Sequence, residues 1–353
     1  MQQPKRILVC PLDWGLGHAA RCIPVIRLLL EKNAHVIIAA GGRPLEMLKQ
    51  EFPALPFIPF NGYGIRYPSS GSMQMKILFS IPRIMRGIRK EHEELKKIIR
   101  ENNIDVVISD NRYGCYNANI KSIFITHQVM IKSPLAENLL HRIVLSYIKK
   151  FDECWIPDHA GENNLSADLS HKYPVPANCT FTGPLSRFKN PGRSKPVYDV
   201  MAVISGPEPQ RSIFERLIAG QMYKSNLKAL LVAGIPGENT KTEQKGNVTM
   251  VNHLNSAEMQ VALQSSEIII SRSGYSTIMD LAALGKRAIF VPTPGQTEQE
   301  YLAAHFMKEN IAYSVKQSAF NLEEALKRSG MYGGFRMVSS SGVLEEKIDS
   351  ILS

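Results

Sequence analysis

Residues 11–18 (PLDWGLGH) contain the residue types that phosphate binding and proton transfer require. They follow a β-branched run and precede a helical stretch, which predicts a strand-to-helix turn. Glycines such as Gly15 and Gly17 let an anion approach backbone N–H groups at a helix N-terminus. His18 would open the helix, where a neutral imidazole can accept a proton from an attacking hydroxyl, with Asp13 as a neighbouring base. The alternative is a two-glycine turn with a surface histidine, because G-x-G alone is a weak motif.

Residues 271–277 (SRSGYST) form a second strand-to-helix segment of this kind in the C-terminal half. The helix start offers hydroxyl and N–H groups that suit a diphosphate, and Arg272 could add a positive charge. Asp280 follows Ser276 and Thr277 by four and three residues, which places it on their face of the helix. A carboxylate there could accept hydrogen bonds from two ribose hydroxyls. Alternatively, the serines cap the helix and Asp280 is a solvated charge.

Two further loops carry side chains that could contact a phosphate or a sugar. They are residues 205–211 (SGPEPQR) and residues 292–300 (PTPGQTEQE), and either could equally be an ordinary turn. The sequence has no D-x-D pair for a metal–diphosphate complex, so neither a metal nor a cofactor is expected. It also lacks the G-x-x-x-x-G-K-[ST] loop and the G-x-S-x-G elbow, which disfavours nucleotide triphosphatases and α/β-hydrolases.

The composition is that of a folded globular protein long enough for two domains. The chain has 353 residues, 44% of them hydrophobic and 21% charged. A net charge of +10 would attract phosphate-bearing ligands, nucleic acid or an anionic membrane. Nucleic acid is not expected as a partner, because the positive charge lacks interleaved aromatic residues and a recognised module. The five cysteines form no C-x-x-C pair and no run of about 18 apolar residues occurs, so we expect a cytoplasmic protein.

Short β-branched runs alternate with helical stretches in both halves, which predicts an α/β fold. In the first half, strands are expected at residues 6–10, 34–40, 104–109 and 122–126, and helices at 18–32 and 44–50. In the second half, strands are expected at 198–204, 227–233, 267–270 and 287–291, and helices at 210–219, 276–284 and 298–309. A stretch rich in Pro, Gly and Ser at residues 172–196 is the predicted connection. The whole predicts two doubly wound, Rossmann-like domains that face a central cleft.

The C-terminal half carries a set of residues that resembles the signature of GT-B glycosyltransferases, above all of family 28. The set consists of Ser271, Arg272, Ser273, Gly274, Asp280, Pro292, Gln296 and Gln299. The turn that ends in His18 resembles the family's first phosphate-type loop, although Gly-Gly-x-Gly-Gly-His is here only Trp-Gly-Leu-Gly-His. The 205–211 loop resembles its counterpart in the second domain, and the resemblance is densest over residues 248–304.

The resemblance implies a division of labour between the two halves. Residues 1–185 would form the acceptor-binding domain, residues 196–335 the nucleotide-sugar domain, and residues 336–353 a helix that packs back on the first domain. Asp280 stands where the family usually has a glutamate that holds the donor ribose, and Gln299 where a glutamine contacts the donor sugar. The donor-binding residues implied in this way are Gly17, Ser205, Gly206, Arg211, His253, Leu254, Arg272, Ser273, Gly274, Tyr275, Ser276, Thr277, Asp280, Gln296, Gln299 and Glu300.

The reaction that the resemblance implies is inverting and independent of metal. A hexose, with N-acetylglucosamine as the family's example, would pass from a UDP-sugar to a hydroxyl acceptor, which in the family is lipid-linked. His18 or Asp13 would deprotonate that hydroxyl. Two other functions stay open, because a UDP-sugar 2-epimerase has a similar architecture and a non-catalytic protein could bind the same nucleotide sugar.

Residues 73–90 mix apolar and basic side chains in a way that could rest on an anionic bilayer. A lipid-linked acceptor would be consistent with peripheral contact at the inner face of the membrane. The alternative is an internal helix with solvated Arg and Lys side chains.

Overall fold

The computed structural model describes residues 3–62, 73–132, 137–189, 192, 195–237, 240–337 and 342–353, with the backbone alone for residues 73–81. The described residues form two compact units. The first contains those up to residue 185 together with residues 342–353, and the second contains those from 186 to 337.

The first unit is built on a parallel sheet that has seven strands within the described residues. The strands, which lie in the order β3-β2-β1-β4-β5-β6-β7, are β1 (Arg6–Pro11), β2 (His35–Ala40), β3 (Phe57–Pro59), β4 (Val106–Asp110), β5 (Lys121–Ile125), β6 (Glu153–Ile156) and β7 (Cys179–Phe181). The helices are α1 (Leu16–Glu31), α2 (Gly42–Glu51), α3 (Met73–Asn102), α4 (Glu137–Ile148) and α5 (Asp168–His171). The central strands β1, β4 and β5 are almost entirely buried, as expected for apolar runs covered on both faces.

The second unit has a sheet of the same kind among its described residues, in the order β10-β11-β9-β8-β12-β13-β14. Its strands are β8 (Tyr198–Val203), β9 (Ala229–Val232), β10 (Thr242–Lys245), β11 (Val248–Val251), β12 (Ser266–Ser271), β13 (Arg287–Phe290) and β14 (Tyr313–Ser314). Its helices are α6 (Gln210–Met222), α7 (Ser256–Gln264), α8 (Tyr275–Leu284), α9 (Thr297–Lys308) and α10 (Leu322–Ser329), with a 3-10 turn at Gln317–Ala319. Every strand pair is parallel except β10 with β11.

Local sequence explains how several of these helices begin and end. Helix α7 starts with a capping box, in which the Asn255 side chain accepts from the Glu258 backbone and the Glu258 carboxylate accepts from the Asn255 backbone. Helix α8 ends at Gly285, whose φ of 61° is the left-handed conformation that glycine adopts without strain. The final helix, α11 (Val343–Leu352), belongs to the first unit, where Lys347 lies 3.1 Å from Glu153 on β6.

The prediction of two doubly wound α/β units is confirmed, but it was incomplete at the edges of both sheets, where β3, β6, β7, β10, β11 and β14 were not predicted. The stretch 172–196 is not connection throughout, because β7 within it completes the first sheet. The antiparallel pair β10–β11 was not predicted, since all four residues of β10 are exposed and give no apolar pattern. Both are short strands at or next to a sheet edge, where burial leaves the weakest trace in the sequence.

The basic segment at residues 73–90 lies in the N-terminal part of α3, and the side chains of residues 73–81 fall outside the described residues. Along the described part, Arg83, Arg86, Arg89 and Lys90 are exposed, whereas Ile88 is buried. Among the helices that the structure describes, none combines the length and the apolar character needed to cross a bilayer.

Candidate active site

The β1–α1 turn of the first unit carries a compact group of charged side chains. Helix α1 begins after Gly15, and a Cβ atom placed on Gly15 would meet nothing within 4 Å, so the space beside this helix start is open. His18 and Arg21 lie three residues apart on one face of α1. Asp110 is the last residue of β4, and the parallel pairing of β1 with β4 places it opposite Pro11. The sheet thus brings Asp110 beside the helix that carries His18.

Asp110 is fully buried and hydrogen-bonded to both helix residues. Its Oδ1 lies 2.6 Å from His18 Nδ1, and Arg21 binds both carboxylate oxygens, Nε to Oδ2 at 2.5 Å and Nη2 to Oδ1 at 2.6 Å. Burial by itself would raise the pKa of Asp110, but the charge of Arg21 and the contacts with His18 outweigh it and hold the pKa at about 2. Asp110 is therefore an ionised acceptor.

This arrangement determines which nitrogen of the His18 ring carries its proton. A carboxylate can only accept hydrogen bonds, so His18 Nδ1 carries the proton that Asp110 receives. Nε2 is then the nitrogen with the available lone pair. The side chain is 20% exposed, so that nitrogen lies on a ring that solutes can approach. The geometry can therefore support general base chemistry at Nε2.

Asp13 and Gly17, the other candidates in this turn, have separate surroundings. Asp13 Oδ2 accepts a hydrogen bond from the backbone N–H of Gly62 at 2.9 Å, and it thereby anchors the chain that follows β3. Gly17 lies in the first turn of α1. The contacts of Asp13 make it a loop anchor as well as a candidate base.

The second open helix start lies at Gly274, between β12 and α8. Gly274 is the N-cap of α8 with no side-chain cap, and a Cβ atom there would meet nothing within 4 Å. Ser273 is fully buried and its hydroxyl donates to the backbone oxygen of Gln299 at 2.7 Å, and Tyr275 is buried as well. Ser276 and Thr277 are half-buried in the first turn. The Ser273 hydroxyl is thus bound to protein, and the open space of this turn lies beside the backbone at Gly274.

Arg272 has a different role from the added ligand charge that the sequence suggested. Its guanidinium is 1% exposed and donates to the carbonyl oxygens of Val291, Pro292 and Gln210 and to Gln317 Oε1, at 2.6 to 3.2 Å. It also lies 4.0 Å from the Phe214 ring centre. Burial lowers the pKa of Arg272 to about 9. The side chain turns inward because it can bind strand-end carbonyls there, and it therefore stabilises the loops around the helix start.

Asp280 is 8% exposed and contacts residues of its own unit. It accepts a hydrogen bond from the Ser186 hydroxyl at 2.8 Å, and Arg187 Nε lies 3.4 Å from its Oδ2. Burial raises the pKa of Asp280, opposed by the charge of Arg187. It is not the solvated helix charge of the alternative interpretation, and ribose binding by this carboxylate stays a prediction.

The loops that follow β8 and β13 lie on either side of the β12–α8 turn, because β8, β12 and β13 are neighbours in the sheet. Gly206, with φ of 109°, brings its loop within reach of Thr293, whose Oγ1 would lie 3.9 Å from an added Cβ. The three predicted segments therefore meet at the carboxyl edge of the second sheet, where ligands bind in folds of this type.

The side chains of these loops mostly bind the loops themselves. Arg211 pairs with Glu208 and Glu215 and donates to the Ala233 carbonyl, Gln299 accepts from the Thr293 N–H at 2.8 Å, and Glu300 accepts from the Gly295 N–H at 2.9 Å. The remaining candidates are placed as follows: Ser205 and Gln296 are half-buried, His253 is buried and Leu254 is half-buried after β11.

Sequence reasoning missed Asp110, Arg21 and His127, which the structure joins to His18. Asp110 and His127 each stand at or just after the end of an apolar strand, the same signal that identified the glycine turns. Among the described residues no cluster of three His, Cys, Asp or Glu side chains could hold a metal ion.

Comparison with known proteins finds one family model that matches most of the second unit. Residues 209–332 match the model of the glycosyltransferase family 28 C-terminal domain, which includes the β12–α8 turn and the loop after β13. The chain is a GT-B glycosyltransferase that resembles family 28. Its two sheets and the GT-B fold of its structural neighbours confirm the predicted fold class.

Relatives of this glycosyltransferase cover most of its length. An uncharacterized glycosyltransferase of Methanosarcina acetivorans is 24% identical over 326 residues, 85% of this chain and 82% of the relative. The UDP-N-acetylglucosamine–N-acetylmuramyl-(pentapeptide) pyrophosphoryl-undecaprenol N-acetylglucosamine transferase of Corynebacterium diphtheriae is 24% identical over 328 residues, 87% of this chain and 82% of the relative. MurG of Acinetobacter baumannii superposes with a TM-score of 0.58 over 99% of both chains, at 13% identity.

Proposed function

We propose that this glycosyltransferase moves a hexose, N-acetylglucosamine in the first instance, from a UDP-sugar to a hydroxyl acceptor with inversion at the anomeric carbon. The observation that carries the proposal is the His18–Asp110 pair at an open helix start, which leaves His18 Nε2 as a base. The choice of donor follows the name of the Corynebacterium diphtheriae relative.

In the proposed reaction, His18 Nε2 accepts the proton of the acceptor hydroxyl as its oxygen attacks the anomeric carbon. The bond from that carbon to the diphosphate breaks, and UDP leaves with the electron pair. Asp110 stabilises the imidazolium that forms, because it already accepts the Nδ1 proton. The acceptor gains the sugar, and the proton on His18 is later released to solvent.

For the donor, we assign the diphosphate to the backbone groups at Gly274, where the helix dipole favours negative charge and no side chain caps the helix. Asp280 would bind the ribose, Gln299 the hexose, and the chain at His253 and Leu254 the base. Arg272, Arg211 and Ser273 would act by shaping these loops, since their described bonds are to protein groups. On this proposal leaving-group charge is stabilised by the protein, without a required metal or cofactor.

We further propose that the acceptor is lipid-linked and that the enzyme works at the inner face of the membrane through the basic part of α3. The exposed Arg83, Arg86, Arg89 and Lys90 support this, because about four adjacent cations favour an anionic surface. Flotation with phosphatidylglycerol vesicles and with neutral vesicles tests the contact. Equal recovery with both, or none with either, would contradict it.

The decisive experiment has two steps. A thermal-shift screen of nucleotide sugars should show the largest stabilisation with a UDP-sugar, because a ligand that binds the native state raises its stability. Product analysis with that donor then follows, with and without polyprenyl-linked saccharides. Donor consumption only with an acceptor supports transfer. An epimer without acceptor would indicate an isomerase, and binding with neither product would indicate a non-catalytic protein.

A further inference from the structure

Arg21 connects His18 to a second histidine that sequence reasoning overlooked. His127 follows β5 by two residues and is 5% exposed, and its Nδ1 lies 2.7 Å from Arg21 Nη1. Arg21 itself is 1% exposed and binds Asp110 through Nε and Nη2. One buried guanidinium therefore contacts a carboxylate and two imidazoles.

The donors and acceptors of this group fix where its protons are. A guanidinium can only donate hydrogen bonds, so His127 Nδ1 must accept, and the proton of a neutral His127 is on Nε2. His18 Nδ1 lies 2.6 Å from Asp110 Oδ1, which can only accept, and 3.1 Å from Arg21 Nη2, which donates to Asp110 Oδ1 at 2.6 Å. The shorter contact places the proton of His18 on Nδ1. The two histidines thus have opposite tautomers, with His18 exposing an acceptor nitrogen and His127 carrying a donor nitrogen.

Arg21 also opposes a positive charge on His18. Its Nη2 lies 3.1 Å from His18 Nδ1, while Asp110 Oδ1 lies 2.6 Å from the same nitrogen. Like charges this close repel at the low effective dielectric of a buried site, so the guanidinium offsets the attraction of Asp110 for a proton on the ring.

We propose that Arg21 is a positioning residue that holds Asp110 against His18, so that the ring proton stays on Nδ1 and Nε2 is the basic nitrogen, and that His127 holds Arg21 in place for this role. The consequence for catalysis rests on the proposed function, whereas the tautomers do not depend on it. Neither residue is required to touch the substrate. Arg21 acts through Asp110 and His18, and His127 acts through Arg21.

Two thiols also lie against this cluster. Cys22, next to Arg21 on α1, contacts Asp110, and burial together with the Asp110 charge raises the pKa of its thiol well above the ordinary value, so it stays neutral. Cys10 on β1 is also fully buried and lies near Cys22. In the contacts described for His18, Asp110 on β4 supplies the negative charge and Arg21 the positive charge.

The first test reads the tautomers directly in the wild-type full chain by two-bond ¹H–¹⁵N NMR of histidine-labelled protein at neutral pH. His18→Asn and His127→Asn assign the two rings, and the exposed His35 serves as an internal reference. We expect a protonated Nδ1 in His18 and a protonated Nε2 in His127. The same tautomer in both rings, or a doubly protonated His127 at neutral pH, would overturn the proposal.

The second test measures the pH profile of kcat/KM for Arg21→Gln. Removing the guanidinium should move the acidic limb upward by about one pH unit, because the Asp110 charge then acts on the site without the opposing charge of Arg21. Arg27→Gln is the matched control, since Arg27 lies on the same helix and pairs with Glu51 at a part-exposed site. An unmoved limb in a folded Arg21→Gln variant contradicts the proposal.

His127 supplies a variant pair that separates positioning from packing. His127→Asn keeps an acceptor for Arg21, so the acidic limb of its kcat/KM profile should stay at the wild-type pH. His127→Phe removes the acceptor, so its acidic limb should move to higher pH, as in Arg21→Gln. Equal pH profiles of kcat/KM for the two His127 variants would contradict the proposed role of His127. If the wild type transfers sugar from no donor, the proposed function fails, yet the NMR result still decides the tautomers.

Discussion

The two open helix starts, at Gly15 in the first unit and Gly274 in the second, share the same backbone arrangement and differ in the charged side chains beside them. Each has a glycine N-cap with open space beside it. At the first, a neighbouring strand supplies Asp110, which Arg21 and His18 keep ionised with a pKa at about 2. At the second, the helix itself supplies Asp280, whose pKa burial raises. On the proposed function, the first turn moves a proton and the second binds the donor through backbone groups.

Among the changes that test this comparison, removing the proposed base His18 should have the largest effect, which is on kcat. We expect His18→Ala to lower kcat by about 10³-fold, within the range for loss of a general base, with little change in the thermal midpoint. His35→Ala, at an exposed histidine of the same unit, is the control and should retain activity. The measurement is initial-rate transfer with the donor identified by thermal shift. A kcat within a factor of two of wild type would remove His18 from the mechanism.

Breaking the buried ion pair should mainly reduce stability. Asp110→Asn leaves the Arg21 charge buried without its counter-ion, so we expect a loss of about 3 kcal/mol in the free energy of unfolding. Glu51→Gln, which breaks the part-exposed pair with Arg27, should cost less than about 1 kcal/mol. Urea unfolding monitored by circular dichroism compares them. Similar losses for both variants would show that the buried Asp110–Arg21 pair contributes no more to stability than the part-exposed pair.

Filling the open space at the second helix start should affect binding more than folding. Gly274 has φ of −74°, which alanine tolerates, so Gly274→Ala should change the free energy of unfolding by less than about 1 kcal/mol. The added methyl would stand where the diphosphate approaches, and we expect Kd for the UDP-sugar to rise about tenfold or more. Gly220→Ala, which also has open space within helix α6, is the control. Calorimetry that finds unchanged donor affinity would refute backbone binding at this turn.

The two carboxylates should respond to pH with opposite signs. The pKa of Asp110 is about 2, below its ordinary value of 3.8, so its stabilisation is full above about pH 4 and is lost as pH falls through 2. This is worth about 2 kcal/mol. The raised pKa of Asp280 means that its ionisation opposes folding as pH rises above the ordinary value. As pH falls from 6 to 3, the free energy of unfolding of the wild type, measured with urea, should therefore fall relative to that of Asp110→Asn. Over the same range it should rise relative to that of Asp280→Asn.

Several features were predictable from the sequence because they depend on neighbouring residues. The apolar strands β1, β8 and β12, the glycine turns that follow β1 and β12, and the position of His18 at a helix start all have local signals in the chain. Strands β3, β6, β7, β10, β11 and β14 were missed, since strands of two to four residues at or next to a sheet edge are too short to leave such a signal.

The sequence by itself determined two α/β units, each with a glycine turn that leads into a helix, because helix and strand patterns are periodic and local. Only the tertiary structure decided that Asp110, 92 residues from His18, meets it, and that Arg272 turns inward to strand-end carbonyls. The reason is that strand order in a parallel sheet is set by packing across crossover connections, so the partner of a strand-end residue cannot be read from its own neighbourhood.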